Sequence, residues 1–411
     1  MSPSAADAAR YAVRPLLPGP AEVLRTEVLA LGLGPTALPL LARHGSPEAF
    51  AVRGLAPDET RVLERELRRL GGEVVSTPNG DRALLLGPLS AFGELPSRLV
   101  QWGRRTEALG AALQEALAGK GSAPQPVDAR GHRLEFGRRT LLMGVVNVTP
   151  DSFSGDGLAG QDERAVAQAV AMAAAGADII DIGGESTRPH SVEVPAAEEL
   201  ARVLPVLREV VARVAVAVSI DTRKAAVAAA AVEAGAHVVN DIWGLRRDPD
   251  MARVVAAAPG VALVCMHNRE AAEHGDVVED ICAGLRQSLL LAEQAGIDSE
   301  RTIVDPGLGF GKTPAQNVEV LSRLGELRGL ARPILVGASR KSTIGLLLDG
   351  APPDQRLEGS LALGVLAASN GADILRVHDV AETVRAIRVA DAVIRGVPAD
   401  FATAPAPGPT G

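Results

Sequence analysis

Asp221, Asn240, Asp305 and Lys341 each stand at the end of a short apolar run or just beyond one. Buried together, they would offer two carboxylates, an amide and an ammonium. A carboxylate accepts hydrogen bonds from two adjacent N–H groups, and an amide covers an edge that mixes donor and acceptor. A flat heterocycle with alternating donors and acceptors, such as an aminopyrimidinone, fits that set. Asn147, Arg376 and His378 form a second set. Arg376 and His378 are two apart, so on a strand they point to the same side. A guanidinium and an imidazole there suit a phosphate or diphosphate. The amide oxygen of Asn147 can be one ligand of an octahedral Mg2+ that otherwise keeps water and phosphate oxygens. Each position also has a plainer reading. Asp221 could cap a helix beginning at Thr222, and His378 could be a hydrogen-bonded core histidine. Their joint occurrence at successive run ends favours a site.

Such side chains need a frame that gathers distant run ends. Between about 139 and 396, apolar runs recur about every thirty residues: 141–148, 178–182, 214–220, 237–242, 261–266, 302–304, 333–336 and 374–377. Helical patterns separate them, for example Glu163 to Ala175 and Thr222 to Ala234. Three helices close on Gly-Ala (Gly176, Gly235, Gly371), where glycine suits the left-handed position after a helix. Strands apolar throughout belong in a parallel sheet covered on both faces. Eight strand–helix units predict a closed (β/α)8 barrel, whose chemistry sits at the C-terminal strand ends. A doubly wound open sheet is the alternative, weakened because no Gly-x-Gly-x-x-Gly follows the first strand. The run ends read Asn147; Asp181 and Glu185; Asp221; Asn240 and Asp241; Met266-His267; Asp305; Ser339 and Lys341; Arg376 and His378.

The segments MGVVNVTPDSFSGDG, GADIIDIGGESTRP, SIDT, VVNDIWG, DPGLGFGKT, GASRKS and RVHDV, in this order, resemble dihydropteroate synthase across residues 139 to 396. The resemblance implies a transferase of folate biosynthesis that joins 6-hydroxymethyl-7,8-dihydropterin diphosphate to 4-aminobenzoate. The products are 7,8-dihydropteroate and diphosphate, and the implied mechanism is dissociative. It assigns Asp221, Asn240, Met266, Asp305 and Lys341 to the pterin, and Asn147, Thr187, Arg376 and His378 to the diphosphate. Mg2+ is implied as cofactor, on Asn147. Phe153, Thr187, Arg188, Pro189, Phe310 and Ser339 would line the 4-aminobenzoate pocket, with Asp151, Arg188 and Lys341 as catalytic residues. Sulfonamide-type analogues are expected to compete, and a homodimer is expected. The loop Thr149 to Gly157 would open and close over the site, with Phe153 as its apolar plug. One departure stands out: His190-Ser191 follows Ser-Thr-Arg-Pro where the family usually has glycine. The alternatives are a methyltetrahydrofolate–corrinoid methyltransferase-like enzyme, which needs no diphosphate site, and a silent pterin-binding homologue.

The rest of the chain sets bounds. Its 411 residues suffice for two or three domains. A formal charge of -8 with scattered arginines argues against nucleic acid or an anionic membrane as partner. No apolar run is long enough to span a bilayer, no signal-peptide pattern is seen, and Cys265 and Cys282 form no motif. A cytoplasmic protein is expected. Only Lys120, Lys224, Lys312 and Lys341 interrupt the use of arginine, so a lysine invites a chemical question; chance retention is the plainer answer for Lys120 and Lys224. Residues 1–118 read as a small α/β accessory domain without visible chemistry. Helices are expected over Glu22–Leu31 and Asp58–Leu70, and strands over Ala49–Val52, Glu73–Ser76 and Ala83–Leu86, the last two joined by a Pro-Asn-Gly turn. Residues 119–128 read as a flexible linker, 129–396 as the catalytic barrel and 397–411 as a disordered tail.

Overall fold

The computed structural model describes residues 12–16, 48–121, 123–149, 157–185, 193–270 and 275–396. Strands β1 (Ala12–Leu16), β2 (Glu48–Arg53), β3 (Glu73–Ser76) and β4 (Arg82–Gly87) form an antiparallel sheet in the order β1-β2-β4-β3. Helices α1 (Pro57–Arg69), α2 (Leu89–Leu99) and α3 (Arg104–Gly121) accompany it. In α1, Leu63 and Leu67 are four apart and both fully buried, so one helical face meets the core. Proline at its start and the Glu59 carboxylate accepting from the Ala56 N–H at 2.7 Å set its first turn. Phe50 of β2 packs on Phe92 of α2, ring centres 4.7 Å apart. The expected helix at 22–31 and the tail at 397–411 lie outside the described residues.

The expected free joint is not one. Gly119, Lys120 and Gly121 form the last turn of α3, and that turn is packed. A Cβ placed on Gly119 would fall 1.8 Å from the Arg328 carbonyl oxygen, a contact only glycine permits. Lys120 ion-pairs with Glu48. Arg53 meets Glu279 at 2.6 Å, and Arg286 donates to the Val13 carbonyl, so the N-terminal layer is docked on the barrel. The glycines are there for close approach, which in sequence looks the same as flexibility.

Residues expected to continue the linker, Val127 and Asp128, begin a hairpin of β5 (Val127–Ala129) and β6 (His132–Leu134). Arg130 and Gly131 turn it with φ of 52° and 90°, the positive pair that two-residue hairpin turns favour. Eight strand–helix units follow, in the predicted order: β7 (Leu141–Asn147) and α4 (Gly157–Ala174), β8 (Ile179–Gly183) and α5 (Ala196–Arg213), β9 (Ala217–Asp221) and α6 (Ala225–Glu233), β10 (Val238–Asp241) and α7 (Met251–Ala256), β11 (Ala262–Met266) and α8 (Val277–Gln294), β12 (Thr302–Asp305) and α9 (Pro314–Ser322), β13 (Leu335–Val336) with α10 (Ser342–Leu347) and α11 (Leu357–Ser369), and β14 (Ile374–Val377) and α12 (Val380–Arg395). The sheet runs β12-β11-β10-β9-β8-β7-β14-β13, all parallel, and a bridge between Val304 and Ile334 closes it into a TIM barrel. Gly176, Gly235 and Gly371 have φ of 108°, 107° and 106°, as the Gly-Ala closures predict.

The alternation of side chains across each strand sorts the interior in two. Outward residues such as Ile180, Val218 and Val239 pack under the helices. Inward residues such as Met143, Ile179, Ala217 and Ile303 fill the barrel floor with Val127, Leu134 and Phe136 of the hairpin segment. Continuing up the same inward rows come Asp181, Asp221, Asn240, Asp305 and Arg376. The site is thus the polar upper layer of an otherwise apolar interior.

Candidate active site

Asp221, the last residue of β9, is 9% exposed. It does not begin a helix, since α6 starts at Ala225, whose N–H goes to the Asp248 carboxylate at 2.8 Å. Its neighbour is Arg376. That guanidinium donates through Nη2 to Asp221 Oδ2 and through Nε to Asp181 Oδ2, both at 2.6 Å. Asp181 Oδ2 also accepts from Asn240 Nδ2 at 3.1 Å. One chain of contacts, Asp221–Arg376–Asp181–Asn240, therefore ties β9, β14, β8 and β10 together.

Asp305 and Lys341 complete the ring. Asp305 closes β12 and accepts the Gly307 N–H at 2.6 Å. Lys341, beyond β13, donates to the Leu308 carbonyl and lies 4.2 Å from the Phe310 ring centre. Met266 ends β11, buried and in register with Asp305. Burial dominates the charge states. It pushes Asp221 up to about 7, with Asp181 adding to the rise and Arg376 opposing it. It raises Asp305 against the Gly307 N–H and Lys341, and lowers Lys341 to about 8 although Asp305 and Asp221 favour its charge. Burial alone would lower Arg376; Asp181 and Asp221 outweigh it and raise it. A carboxylate held near neutrality, as Asp221 is, can exchange protons and hydrogen bonds with a ring that carries both donors and acceptors.

Above this ring stands the second set. His378, two residues after Arg376, shares a 3.1 Å contact between Nδ1 and Ser339 Oγ, and burial with the Arg376 charge lowers it to about 4. Ser339 is therefore turned towards His378, whereas Ser342, past Lys341, is the exposed hydroxyl of that turn. Asn147 ends β7, half-buried, and its side chain has no hydrogen bond among the described residues. Among those residues no group of three His, Cys, Asp or Glu side chains forms a metal cage. A lone amide oxygen at an open rim suits a cation that keeps water and phosphate ligands, as Mg2+ does.

Asp151, Phe153, Thr187, Arg188 and Pro189 lie outside the described residues. Two other rim carboxylates serve structure. Glu185 takes Arg223 at 2.9 Å and Lys224 at 2.7 Å, and Lys224 also reaches the buried Glu199, so this lysine is not a chance survivor. Asp241 accepts the Trp243 and Leu245 N–H groups at 2.9 and 2.6 Å. The residue that sequence reasoning left unassigned is Asp181: fully buried, it joins the two sets through Arg376 and Asn240. Its signal in sequence is its place among the polar run ends, beside Glu185, which gives no partner for it.

Residues 143–378 match the family model described as "Pterin binding enzyme". The dihydropteroate synthase of Clostridium beijerinckii is 46% identical over 261 residues, 63% of this chain and 96% of the relative. A probable bifunctional folylpolyglutamate synthase/dihydropteroate synthase of Haloferax volcanii is 43% identical over 353 residues, 81% of this chain and 42% of that protein. A solved structure of Xanthomonas albilineans dihydropteroate synthase with 4-aminobenzoic acid is 46% identical, covers 66% of this chain and 98% of its own, and gives a TM-score of 0.62. With seven motifs in order, a closed barrel and the buried polar ring at its rim, the chain belongs to the pterin-binding enzymes and, among them, to the dihydropteroate synthases.

Proposed function

We propose that the condensation of this family, pterin diphosphate plus 4-aminobenzoate to 7,8-dihydropteroate and diphosphate, runs here with diphosphate leaving first. The observation that carries this reading is the buried ring of Asp221, Asn240, Asp305 and Lys341 with Arg376 reaching up from the same interior. Asp221, Asn240 and Asp305 would take the N–H and acceptor edge of the pterin, Met266 its face and Lys341 a ring acceptor. Arg376, His378, Thr187 and Asn147 would receive the diphosphate. The C–O bond to diphosphate breaks and both electrons leave with the oxygen. The lone pair of the aniline nitrogen then forms the C–N bond to the ring-bound methylene cation, and the amine proton is released. Fixed cations beside the departing group stabilise that charge without solvent reorganisation. No described side chain is needed as an activated nucleophile, because a neutral arylamine attacks a cation readily. Mg2+ held by Asn147, when bound, would neutralise charge growing on the diphosphate.

Phe153, Thr187, Arg188, Pro189, Phe310 and Ser339 would form the 4-aminobenzoate pocket, with Asp151, Arg188 and Lys341 as catalytic residues. Phe310 beside the Lys341 ammonium supports this for the described part. Sulfonamide analogues, which are similarly sized anilines with an acidic para substituent, would compete there. A homodimer is supported by an exposed apolar face on the packed helices α11 and α12, where Leu366 is 54%, Val389 69% and Val393 82% exposed. The cytoplasm is the proposed compartment, supported by the free, buried Cys265 and Cys282; among the described residues no helix is long and apolar enough to cross a membrane. The test is diphosphate release by purified protein given pterin diphosphate and Mg2+. With 4-aminobenzoate present the released diphosphate should be matched by dihydropteroate; release with 4-aminobenzoate present but no dihydropteroate formed would reject the synthase reading.

A further inference from the structure

Lys312 has no part in the reaction as described, yet its amine is buried among four acceptors. The carbonyl oxygens of Gly307, Phe310 and His267 lie at 2.9, 3.1 and 3.3 Å, and His267 Nδ1 at 3.2 Å. Behind His267, its Nε2 is 3.3 Å from Asp280 Oδ2, which also holds Arg269 Nη1 at 2.6 Å. Burial lowers His267 to about 4, so the ring is neutral at pH 7. With its N–H directed at Asp280, the Nδ1 lone pair faces Lys312.

The loop these groups hold is soft by sequence. Gly307, Gly309 and Gly311 sit at φ of 67°, 79° and 56°, where glycine contributes little stiffness of its own. The same loop must fix two things. Its Leu308 carbonyl receives the Lys341 ammonium, and its Phe310 ring lies beside that ammonium. Other ties exist: Asn317 Oδ1 takes the Gly309 N–H at 2.8 Å, and Arg269 Nε donates to the Gly311 carbonyl at 3.0 Å. Among the described residues, Lys312 alone grips the carbonyls on both sides of Leu308 and Gly309.

We infer that Lys312 is a positioning residue: it clamps the 305–311 loop through the Gly307 and Phe310 carbonyls, and so sets Phe310 and Lys341 for the arylamine. This rests on the reading of Phe310 as a wall of the 4-aminobenzoate pocket. Burial pulls Lys312 down to about 7, with Asp305 and Asp280 opposing the drop and Arg269 and Lys341 adding to it. Below pH 7 the amine has three N–H donors for the four acceptors; above it, two. The clamp therefore loosens as pH rises through 7.

Steady-state kinetics of the full chain test this with Lys312→Met, Lys312→Arg and Phe310→Ala. Lys312→Met is expected to raise KM for 4-aminobenzoate roughly tenfold or more, the scale of a small misplacement in a positioned reactant. Calorimetric affinity for 6-hydroxymethylpterin, which Asp221 and Asn240 hold from strands outside this loop, should fall by a smaller factor than that KM rises. In the wild type, KM for 4-aminobenzoate should climb between pH 6 and 8, and the climb should vanish in Lys312→Arg, which stays charged. A variant that only loosened the fold would lower the melting temperature without removing that climb. If Phe310→Ala raises this KM and Lys312→Met does not, the clamp is overturned while the pocket stands. If Phe310→Ala changes nothing, the pocket reading itself fails. A flat wild-type profile also overturns the clamp, even if Lys312→Met does not fold.

Discussion

At the scale of residues, the site is a balance between burial and pairing. Asp221 titrates near 7 and Lys341 near 8, both displaced by burial. An ionised Asp221 accepts N–H groups, so pterin binding should weaken as pH falls below 7. A charged Lys341 donates, so binding should weaken again above 8. Calorimetry of 6-hydroxymethylpterin across pH 5.5 to 9 should give a bell with its top between those values; both limbs belong to the coupled cluster. A profile flat over that range would contradict the assignment. Arg376 holds the cluster together. Arg376→Ala would leave Asp181 and Asp221 buried without their cation, a loss of about 3–5 kcal/mol for a broken buried pair. Urea unfolding should show that loss, and the acid limb of the bell should move to higher pH as Asp221 loses its favourable partner. A variant as stable as wild type would mean that Arg376 is not the cation of this cluster.

At the scale of elements, the hairpin segment before the barrel decides whether the floor is closed. Phe136 is 7% exposed and belongs to the inner core beneath the polar ring. Phe136→Ala should cost about 3–5 kcal/mol by transfer and cavity terms together, read as a lower urea midpoint with unchanged slope. Docking of α3 is a separate matter. Because a side chain on Gly119 would meet the Arg328 carbonyl, Gly119→Val should loosen the N-terminal layer and speed proteolytic cutting near residues 121–123. Barrel fluorescence and pterin binding should remain. Equal cutting rates would show that the close approach is not needed for docking.

At the scale of the whole molecule, the exposed apolar side chains of α11 and α12 are one feature that an isolated chain leaves uncovered. Val389 and Val393 are four apart on α12, hence on one helical face, and both are exposed. Val393→Asp should convert a dimer into monomer in analytical ultracentrifugation, with the melting curve near neutral pH otherwise unchanged. If the wild type is already monomeric at micromolar concentration, the dimer reading is abandoned. The Haloferax volcanii match, at 81% of this chain, reaches beyond the barrel into the N-terminal layer. The similarity therefore covers part of the N-terminal layer's sequence as well as the barrel's.

The barrel and most of its polar ring were legible in sequence because each depends on local order. Runs apolar throughout, helical periods between them and Gly-Ala closures are written in consecutive residues, and strand ends follow from where the runs stop. Asp221, Asn240, Asp305, Lys341 and Arg376 are legible from that order, with a flat heterocycle and a diphosphate as the ligands their chemistry suits; the family resemblance adds the named substrates and the loop residues. Other features depended on contacts between distant segments. Gly119 was read as a hinge because composition cannot separate a glycine that bends from one that lets two backbones touch. Val127 and Asp128 read as linker because three-residue strands carry too little periodicity to announce a hairpin. Asp181 is legible as a polar run end, but not its role, because that lies in Arg376 and Asn240, 195 and 59 residues away. Lys312 was noticed as a lysine among arginines, but its grip on two carbonyls could be seen only once the loop was folded. Sequence determines which face of each strand is polar; which polar groups then meet is decided by the closure of the sheet, because only that closure sets the distances on which charge and hydrogen bonding depend.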